Sequence, residues 1–241
     1  PFLVFDAYGL FERYKLPRRA GPSRVLRRRL VVSLVVNHGV TTPVSAALAY
    51  PVFAYCGMPP PTAPVPTAGV AWAMCVAHLI NELGFYWSHR ALHSKLLYKR
   101  VHARHHAFVA TIAPAAEFAS FGEALVSNTA PSILGCLLFG RHLLVFWVWL
   151  ALRLQQTYEV HSGYAFHGAL TEYLLLTQAD AAIEHDHHHA VNRGCFGALW
   201  LDYLCGTMDA FVAAGGGEAY RRRREGFSTA AEEDSGFPER T

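Results

Sequence analysis

Eight histidines occur in three closely spaced motifs, a pattern that is suited to binding metal ions. The motifs are one His-x-x-x-His and two His-x-x-His-His, formed by His89 and His93, by His102, His105 and His106, and by His185, His188 and His189. Residues three and four apart share a face of a helix, so the members of each motif can point into one pocket. Eight imidazoles exceed what one ion can use. The spacing therefore predicts two ions bound close together.

The ligand type narrows the chemistry that such a centre could perform. A histidine-rich pair of ferrous ions with open positions can activate O₂ for attack on an unactivated C–H bond. Structural zinc sites are closed by four ligands that commonly include cysteine. Neither His-x-x-His-His motif contains a cysteine. The carboxylates of Glu82 and Asp186 stand where they could accept a hydrogen bond from the second ring nitrogen of a ligand and so orient it. Iron and zinc both bind imidazole, and both stay open at this point.

The elements that position these motifs are predicted from composition. Of the 241 residues, 52% are hydrophobic and 16% are charged, which is apolar for a soluble protein and favours a membrane protein with one domain. The basic clusters at 18–29, 95–104 and 221–224 flank apolar runs. Such clusters suit anionic lipid headgroups better than nucleic acid, because no basic groove interleaved with aromatic residues is visible.

Four apolar stretches at 30–56, 67–88, 124–139 and 143–154 predict about four transmembrane helices, the last two forming a short hairpin. The positive-inside rule places the basic segments before the first stretch and after the second in the cytosol. We therefore predict an all-α membrane protein in which a cytosolic cap of helices carries the histidine motifs. A further cytosolic helix is predicted over 171–183.

Three segments follow from this organisation. Residues 1–29 are predicted to be an amphipathic, basic lead-in that lies at the membrane surface. Residues 30–212 form the membrane domain, and the glycine-rich and charged residues 213–241 are predicted to be a disordered tail. His38, His78, His142, His167 and His187 fall outside the motifs and are interpreted as ordinary core or interface residues.

The chain resembles the fatty acid hydroxylase superfamily of membrane di-iron enzymes, which has the same order of motifs, over about residues 6–209. Within it the chain is most similar to the sterol 4-alpha-methyl oxidases, or methylsterol monooxygenases. The segments that carry this likeness are Gly9-Leu10-Phe11, Tyr98-Lys99, Ala116-Glu117-Phe118, His161-Ser162-Gly163-Tyr164 and His185-Asp186. The chain departs from that branch at Gly84-Phe85, at Ser120-Phe121 and at Glu159.

This resemblance implies a non-haem di-iron mono-oxygenase of the endoplasmic reticulum, with its histidines facing the cytosol. It implies O₂ as co-substrate, a sterol or lipid substrate, and electrons from NAD(P)H through cytochrome b5 or a similar carrier. It also implies that His161 is a ninth ligand and that Glu159 is a further carboxylate beside the ligands. Nucleic acid is not an expected partner.

The aromatic candidates for lining a substrate pocket are Phe85, Tyr86, Trp87, Phe118 and Tyr164, and ordinary core packing explains them equally well. Two other functions stay open. One is a hydroxylase or desaturase acting on fatty acyl chains or another lipid. The other is a non-catalytic metal-binding or metal-transport membrane protein, although a transporter should hold its ligands at mid-membrane depth, whereas these motifs lie in charged sequence outside the apolar runs.

Overall fold

Helices form the regular structure throughout the described parts of the chain, which are residues 1–16, 21–65, 68–140, 142–167 and 179–219 of a computed structural model. The predicted all-α class is confirmed for these residues. In chain order the helices are α1 (Phe2–Tyr8), α2 (Arg24–Val36), α3 (Thr42–Tyr55), α4 (Val70–Leu92), α5 (Phe121–Glu123), α6 (Ala130–Gly135), α7 (Leu143–Val160), α8 (Ala179–Val191), α9 (Leu199–Leu204) and α10 (Asp209–Ala213). Four π-turns also occur, at Asn37–Thr41, Tyr98–His102, Ala124–Thr129 and Cys136–Gly140.

Helices α2 and α3 run on through a π-turn as one helix from Arg24 to Tyr55. Ser23 caps its start, where the side-chain oxygen accepts a hydrogen bond from the Leu26 N–H at 3.2 Å. Within the described residues, this is the one helix long and apolar enough to cross a membrane. Only 11% of its most apolar window is buried, whereas the core helix of a soluble protein would be mostly buried. It corresponds to the predicted stretch 30–56.

The other three predicted stretches form the helical bundle that ends at the histidines. They correspond to α4, to the continuous helical segment 121–140, and to α7. None of them reaches the apolarity of Arg24–Tyr55, because polar residues such as Glu82 in α4 and Arg153 in α7 interrupt them. Their packing is nevertheless apolar at the far end, where Phe53, Ala77, Cys136, Leu143, Phe146 and Trp149 form one buried cluster.

Helices α4 and α6 approach each other closely at Gly84. A Cβ atom there would lie 2.9 Å from Cβ of Pro131, so a larger residue would push the helices apart. Polar groups inside this contact satisfy one another: the Ser132 hydroxyl donates to the Asn81 side chain at 2.9 Å, and the Trp149 indole donates to the Ser132 carbonyl at 3.2 Å. The departure at Gly84 thus has a packing reason.

The first 16 residues pack on the segment that follows α7, and the membrane-surface position of the lead-in stays a prediction. The Leu16 N–H donates to the Gly163 carbonyl at 2.9 Å, and the Ala165 N–H donates to the Tyr14 carbonyl at 2.8 Å. Phe2, Tyr14, Tyr164 and Phe166 share one buried cluster with Ala113. The apolar face of the lead-in is therefore used inside the cap, because Tyr164 and Phe166 give it a partner.

The C-terminal helices close the cap over the metal-binding end. The buried Asp202 carboxylate accepts hydrogen bonds from the N–H groups of Phe196 and Gly197, each at 2.8 Å, and from the Thr207 hydroxyl at 2.6 Å. Of the predicted helix 171–183, residues 171–178 lie outside the described residues and α8 covers the rest. Of the predicted tail, residues 213–219 are turn and helix, and 220–241, with the basic cluster 221–224, lie outside the described part.

Candidate metal centre

All nine histidines proposed from the motifs and the resemblance come together in two groups. In each group one ring nitrogen per residue lies within 4.8 Å of the others. The five-histidine group contains His89, His93, His102, His106 and His188, and the four-histidine group contains His105, His161, His185 and His189. The groups are neighbours, since the rings of His106 and His189 are stacked with centroids 4.6 Å apart.

Within each group the Nε2 atoms converge. In the five-histidine group, Nε2 of His102 lies 3.0 Å from Nε2 of His89, of His93 and of His106. In the four-histidine group, successive Nε2 atoms of His105, His161, His185 and His189 are 2.9 to 3.2 Å apart. Two nitrogens bound at right angles to one ion at about 2.1 Å are about 3.0 Å apart, so the spacing fits adjacent ligands of a single ion.

The Nδ1 atoms show where the ring protons lie. Nδ1–H groups donate to main-chain carbonyls: His89 to Phe196 at 2.6 Å, His161 to Thr157 at 2.8 Å, His188 to Gly194 at 2.5 Å and His189 to Phe108 at 3.1 Å. A carbonyl can only accept, so the single proton of each neutral ring is on Nδ1 and Nε2 carries a bare lone pair. Converging lone pairs repel unless a cation lies between them. The donor set therefore fits metal ions.

The protonation state agrees with this. Burial lowers the pKa of His89 and of His161 to about 4, although the hydrogen bonds to their backbone acceptors act in the opposite direction. Burial and the neighbouring imidazoles also lower the pKa of the remaining members of both groups. Neutral imidazole is the form that binds metals.

Each His-x-x-His-His motif is divided between the groups, which corrects the expectation that its three members share one pocket. His102 and His106 join one group and His105 the other; His185 and His189 join one group and His188 the other. At about 100° per residue, positions four apart differ by about 40° and adjacent positions by about 100°. Adjacent histidines therefore point to different ions.

Helix ends and tight turns hold these side chains. His89 lies in the last turns of α4, His102 lies in the π-turn Tyr98–His102, and His161 is the C-terminal cap of α7. Gly194 supplies the carbonyl that holds His188, and it does so at a positive φ of 70°. A Cβ atom at Gly194 would lie 2.3 Å from the Thr207 carbonyl oxygen. Only glycine fits this turn.

Glu123 is a carboxylate of the site that the motifs did not reveal. Its Oε1 lies 2.9 Å from Nδ1 of His102 and 3.9 Å from Nδ1 of His105, and its side chain is buried. Burial raises the pKa of the Glu123 carboxyl to about 9. The Ser120 hydroxyl oxygen accepts from the Glu123 N–H at 3.2 Å, as in a capping box. The sequence Ser-Phe-Gly-Glu before the stretch 124–139 was the available signal.

The three carboxylates expected to orient ligands are placed differently. Glu82 accepts a hydrogen bond from Asn81 at 3.3 Å and lines a cavity. It lies two helical turns before His89, which is too far along the helix for its carboxylate to orient that ring. Asp186 accepts from the Thr111 hydroxyl at 3.3 Å. Glu159 is buried at the end of α7. A role of Asp186 and Glu159 in orienting ligands stays a prediction.

A cavity of about 260 Å³ opens beside the histidines. It reaches both groups, since His89 and His102 from one and His105, His161 and His185 from the other line its wall. Among the aromatic candidates, Phe85 lines it. Tyr86 and Tyr164 are fully buried in the core, Phe118 packs with Leu30 and Phe108, and Trp87 is exposed on the outer surface. Core packing explains Tyr86, Tyr164 and Phe118, and Trp87 belongs neither to the core nor to the cavity wall.

The five histidines that were not proposed as ligands have other surroundings. His38 contacts Glu117 at 3.0 Å, His142 caps α7 by accepting from the Leu144 N–H, and the ring of His187 lies against Phe211. His78 lines the cavity at a distance from both groups, and His167 is exposed. None of these five belongs to either histidine group.

The comparisons with known proteins agree with this site. The family model for fatty acid hydroxylase matches residues 74–207, which include all nine histidines. A very-long-chain aldehyde decarbonylase from Oryza sativa is 34% identical over 86% of this chain and 78% of its own length. Methylsterol monooxygenases from Arabidopsis thaliana and Aspergillus fumigatus are each 32% identical, over 86% and 94% of this chain and 78% and 76% of their own lengths. No solved structure matches the chain significantly.

Proposed function

Because the chain belongs to the fatty acid hydroxylase family, we propose that it is a membrane-bound, O₂-dependent oxidoreductase that hydroxylates a C–H bond of a sterol or another lipid. The family predicted from the motifs is confirmed. One observation carries the proposal: two sets of converging imidazole lone pairs open to a single cavity. The nine histidines are the proposed ligands of two iron ions. When bound, iron would supply the oxidising power that no side chain of the protein has.

The protein's own residues hold and shield the centre. Backbone carbonyls fix the tautomer of at least four imidazoles, so each presents its lone pair to the ion. Oε1 of Glu123 lies 2.9 Å from Nδ1 of His102, where it restricts the orientation of that ring. Every member of the groups other than His93 and His185 is buried, which excludes bulk water from the metal-binding side. The cavity then brings a substrate C–H bond next to both groups.

The proposed substrate is a 4-methylsterol, oxidised at its C4 methyl group. The similarity to methylsterol monooxygenases supports this choice. A second candidate is a long-chain aldehyde, which the similarity to aldehyde decarbonylases supports to the same degree. Hydroxylation or desaturation of a fatty acyl chain is a third possibility within the same chemistry. A metal transporter fits less well, because both groups lie beyond the candidate span Arg24–Tyr55 rather than within it.

The location and electron supply are also proposals. We place the enzyme in the endoplasmic reticulum with about four crossings and with the histidines on the cytosolic side. The basic residues at the start of α2 support this orientation. The apolar surface of α3 and α7, where Leu48, Trp147 and Leu152 are exposed, supports insertion into a membrane. Electrons would come from NAD(P)H through cytochrome b5 or a similar carrier.

The test uses the full chain in lipid nanodiscs, loaded with ferrous iron and supplied with a chemical reductant. We expect about two irons per chain, O₂ consumption that depends on the lipid, and a product heavier by one oxygen atom when a 4-methylsterol is added. Parallel reactions with a long-chain aldehyde and a fatty acyl lipid rank the substrates. A protein that holds two irons and consumes no O₂ with any of these lipids would contradict an oxygenase function.

A further inference from the structure

The cavity beside the histidines has a charged wall that the metal centre does not use. Glu82 in α4 and Arg153 in α7 both line it, together with Asn128 and Gln156. Glu82 precedes His89 by two helical turns and Arg153 precedes His161 by just over two, so at 1.5 Å per residue both lie about 10 to 12 Å along the helices from the metal-binding end. Charged residues in apolar helices are costly and are retained mainly where they act on ions or ligands.

Among the described residues, Glu82 forms no ion pair with a lysine or arginine, and Arg153 forms none with a carboxylate. Among the described residues, no carboxylate lies within ion-pair distance of the Arg153 guanidinium, which donates to Gln156 Oε1 at 3.0 Å and lies 5.5 Å from the Phe85 ring centre. Glu82 accepts a hydrogen bond from Asn81 at 3.3 Å, and Nδ1 of His78 lies 4.0 Å from its Oε1.

A donor and an acceptor that face one cavity without touching define the group that fits between them. A hydroxyl accepts one hydrogen bond and donates another, so it can satisfy both. A carboxylate would be attracted by Arg153 and repelled by Glu82. A plain hydrocarbon would leave the buried Glu82 carboxylate and the half-buried Arg153 guanidinium without a partner of opposite charge, which is unfavourable.

We propose that Glu82 and Arg153 bind a hydroxyl group of the lipid substrate. Arg153 donates a hydrogen bond to the hydroxyl oxygen, and the Glu82 carboxylate accepts a hydrogen bond from the hydroxyl group. This inference rests on the proposed function and narrows its substrate class to lipid alcohols. The cavity of about 260 Å³ is small, so it holds the hydroxyl and only the carbons near it. The carbon that is oxidised therefore lies within a few bonds of the hydroxyl-bearing carbon, and the rest of the lipid lies outside the cavity.

The test measures equilibrium binding rather than turnover. Full-chain protein is loaded with Zn²⁺, placed in nanodiscs, and titrated with a radiolabelled 4-methylsterol. Competitors are the same sterol without its hydroxyl, and octadecanoate. The variants are Arg153→Gln, Arg153→Lys and Glu82→Gln. Arg27→Gln is the matched control, because Arg27 is an arginine on α2 that donates to the Pro22 carbonyl and lies outside the cavity.

For the unmodified protein and Arg27→Gln, we expect the hydroxylated sterol to bind at least about tenfold more tightly than the sterol without the hydroxyl. Arg153→Gln should bring the two within about twofold, because it weakens only the hydroxylated ligand. Arg153→Lys should keep part of the preference, since it keeps a donor but loses the planar fork. Glu82→Gln should weaken sterol binding and strengthen octadecanoate binding, because the repulsive charge is gone.

Two results would overturn the inference. One is an unchanged preference for the hydroxyl in Arg153→Gln that still holds two metals and melts as the unmodified protein does. The other is octadecanoate binding more tightly than the sterol before any substitution. Failure of the proposed function looks different, because iron-loaded protein would then bind the sterol with the expected preference and still consume no O₂.

Discussion

The two histidine groups face the same cavity to different extents. Two of the five members of the larger group line it, His89 and His102, whereas three of the four members of the smaller group do, His105, His161 and His185. His93, His106 and His188 do not line the cavity, so with respect to the cavity we call the larger group the enclosed group and the smaller one the exposed group. An ion in the smaller group would have fewer protein ligands and more of its surroundings open to substrate. The comparison suggests that the two ions have different tasks, one mainly held and one mainly exposed to the lipid.

The largest effect is expected from removing a ligand of the exposed group. His185→Ala should abolish lipid turnover and lower the metal content from about two ions per chain to about one, because three ligands remain. Metal analysis and a turnover assay on the same sample measure both. His167→Ala, an exposed histidine outside the groups, should change neither. Full metal content with normal turnover in His185→Ala would remove that side chain from the centre.

The second-largest effect is expected from substituting Glu123, whose carboxyl group lies near both histidine groups. Glu123→Ala removes the carboxyl group beside Nδ1 of His102, and we expect turnover to fall about 10- to 100-fold, as is usual when a group that orients a metal ligand is lost. Glu123→Gln should be milder, since its amide oxygen can still accept from Nδ1. Ser120→Ala is the control, because it removes the helix cap and leaves the carboxylate. Equal losses in Glu123→Ala and Ser120→Ala would mean that Glu123 acts only through the helix.

Removing a ligand of the enclosed group should have a smaller effect on metal content and turnover. His93→Ala leaves four histidines, the number that the other group has, so we expect both ions to be retained and turnover to fall about tenfold. The measurement is again metal content beside turnover. If His93→Ala loses an ion and His185→Ala does not, the assignment of the enclosed and exposed groups is reversed.

The smallest effect is on stability. Gly194→Ala should lower the free energy of unfolding by about 2 kcal/mol or more, because it adds a steric contact with Thr207 to an unfavourable positive φ. Gly206→Ala is the matched control at φ 63° with open space around it, and it should cost about 1 kcal/mol. Thermal unfolding of both variants checks the difference, and equal losses would show that the Thr207 contact is relieved easily.

The histidines could be found from sequence because their motifs are local. Spacing along a helix fixes which side chains are neighbours, so the three motifs predicted nearly all of the cluster. His161 has no such neighbour, and the resemblance was needed to include it. Spacing separates adjacent histidines of a motif, but which histidines of different motifs join in one group depends on the π-turn Tyr98–His102 and on how α8 meets α4.

The carboxylates and aromatics were harder to place, and for a physical reason. The spacing in sequence suggested that Glu82 lies beside His89, but two helical turns of α4 separate them. Glu123 is far from His102 in sequence, and only the folding of the connector brings it there. Periodicity cannot say which aromatic faces a cavity and which fills a core. Phe85 and Tyr86 are adjacent, and one lines the cavity while the other is fully buried.

The hydrogen bond from His89 to Phe196 has a consequence for how the protein matures. It joins residues 107 positions apart, and the same group includes His188 from α8. Contacts of such long range form late in folding. During synthesis, the enclosed site cannot be complete until α8 and the loop after it have emerged from the ribosome. We therefore expect metal to enter the larger group only after the chain has been synthesised at least as far as Phe196.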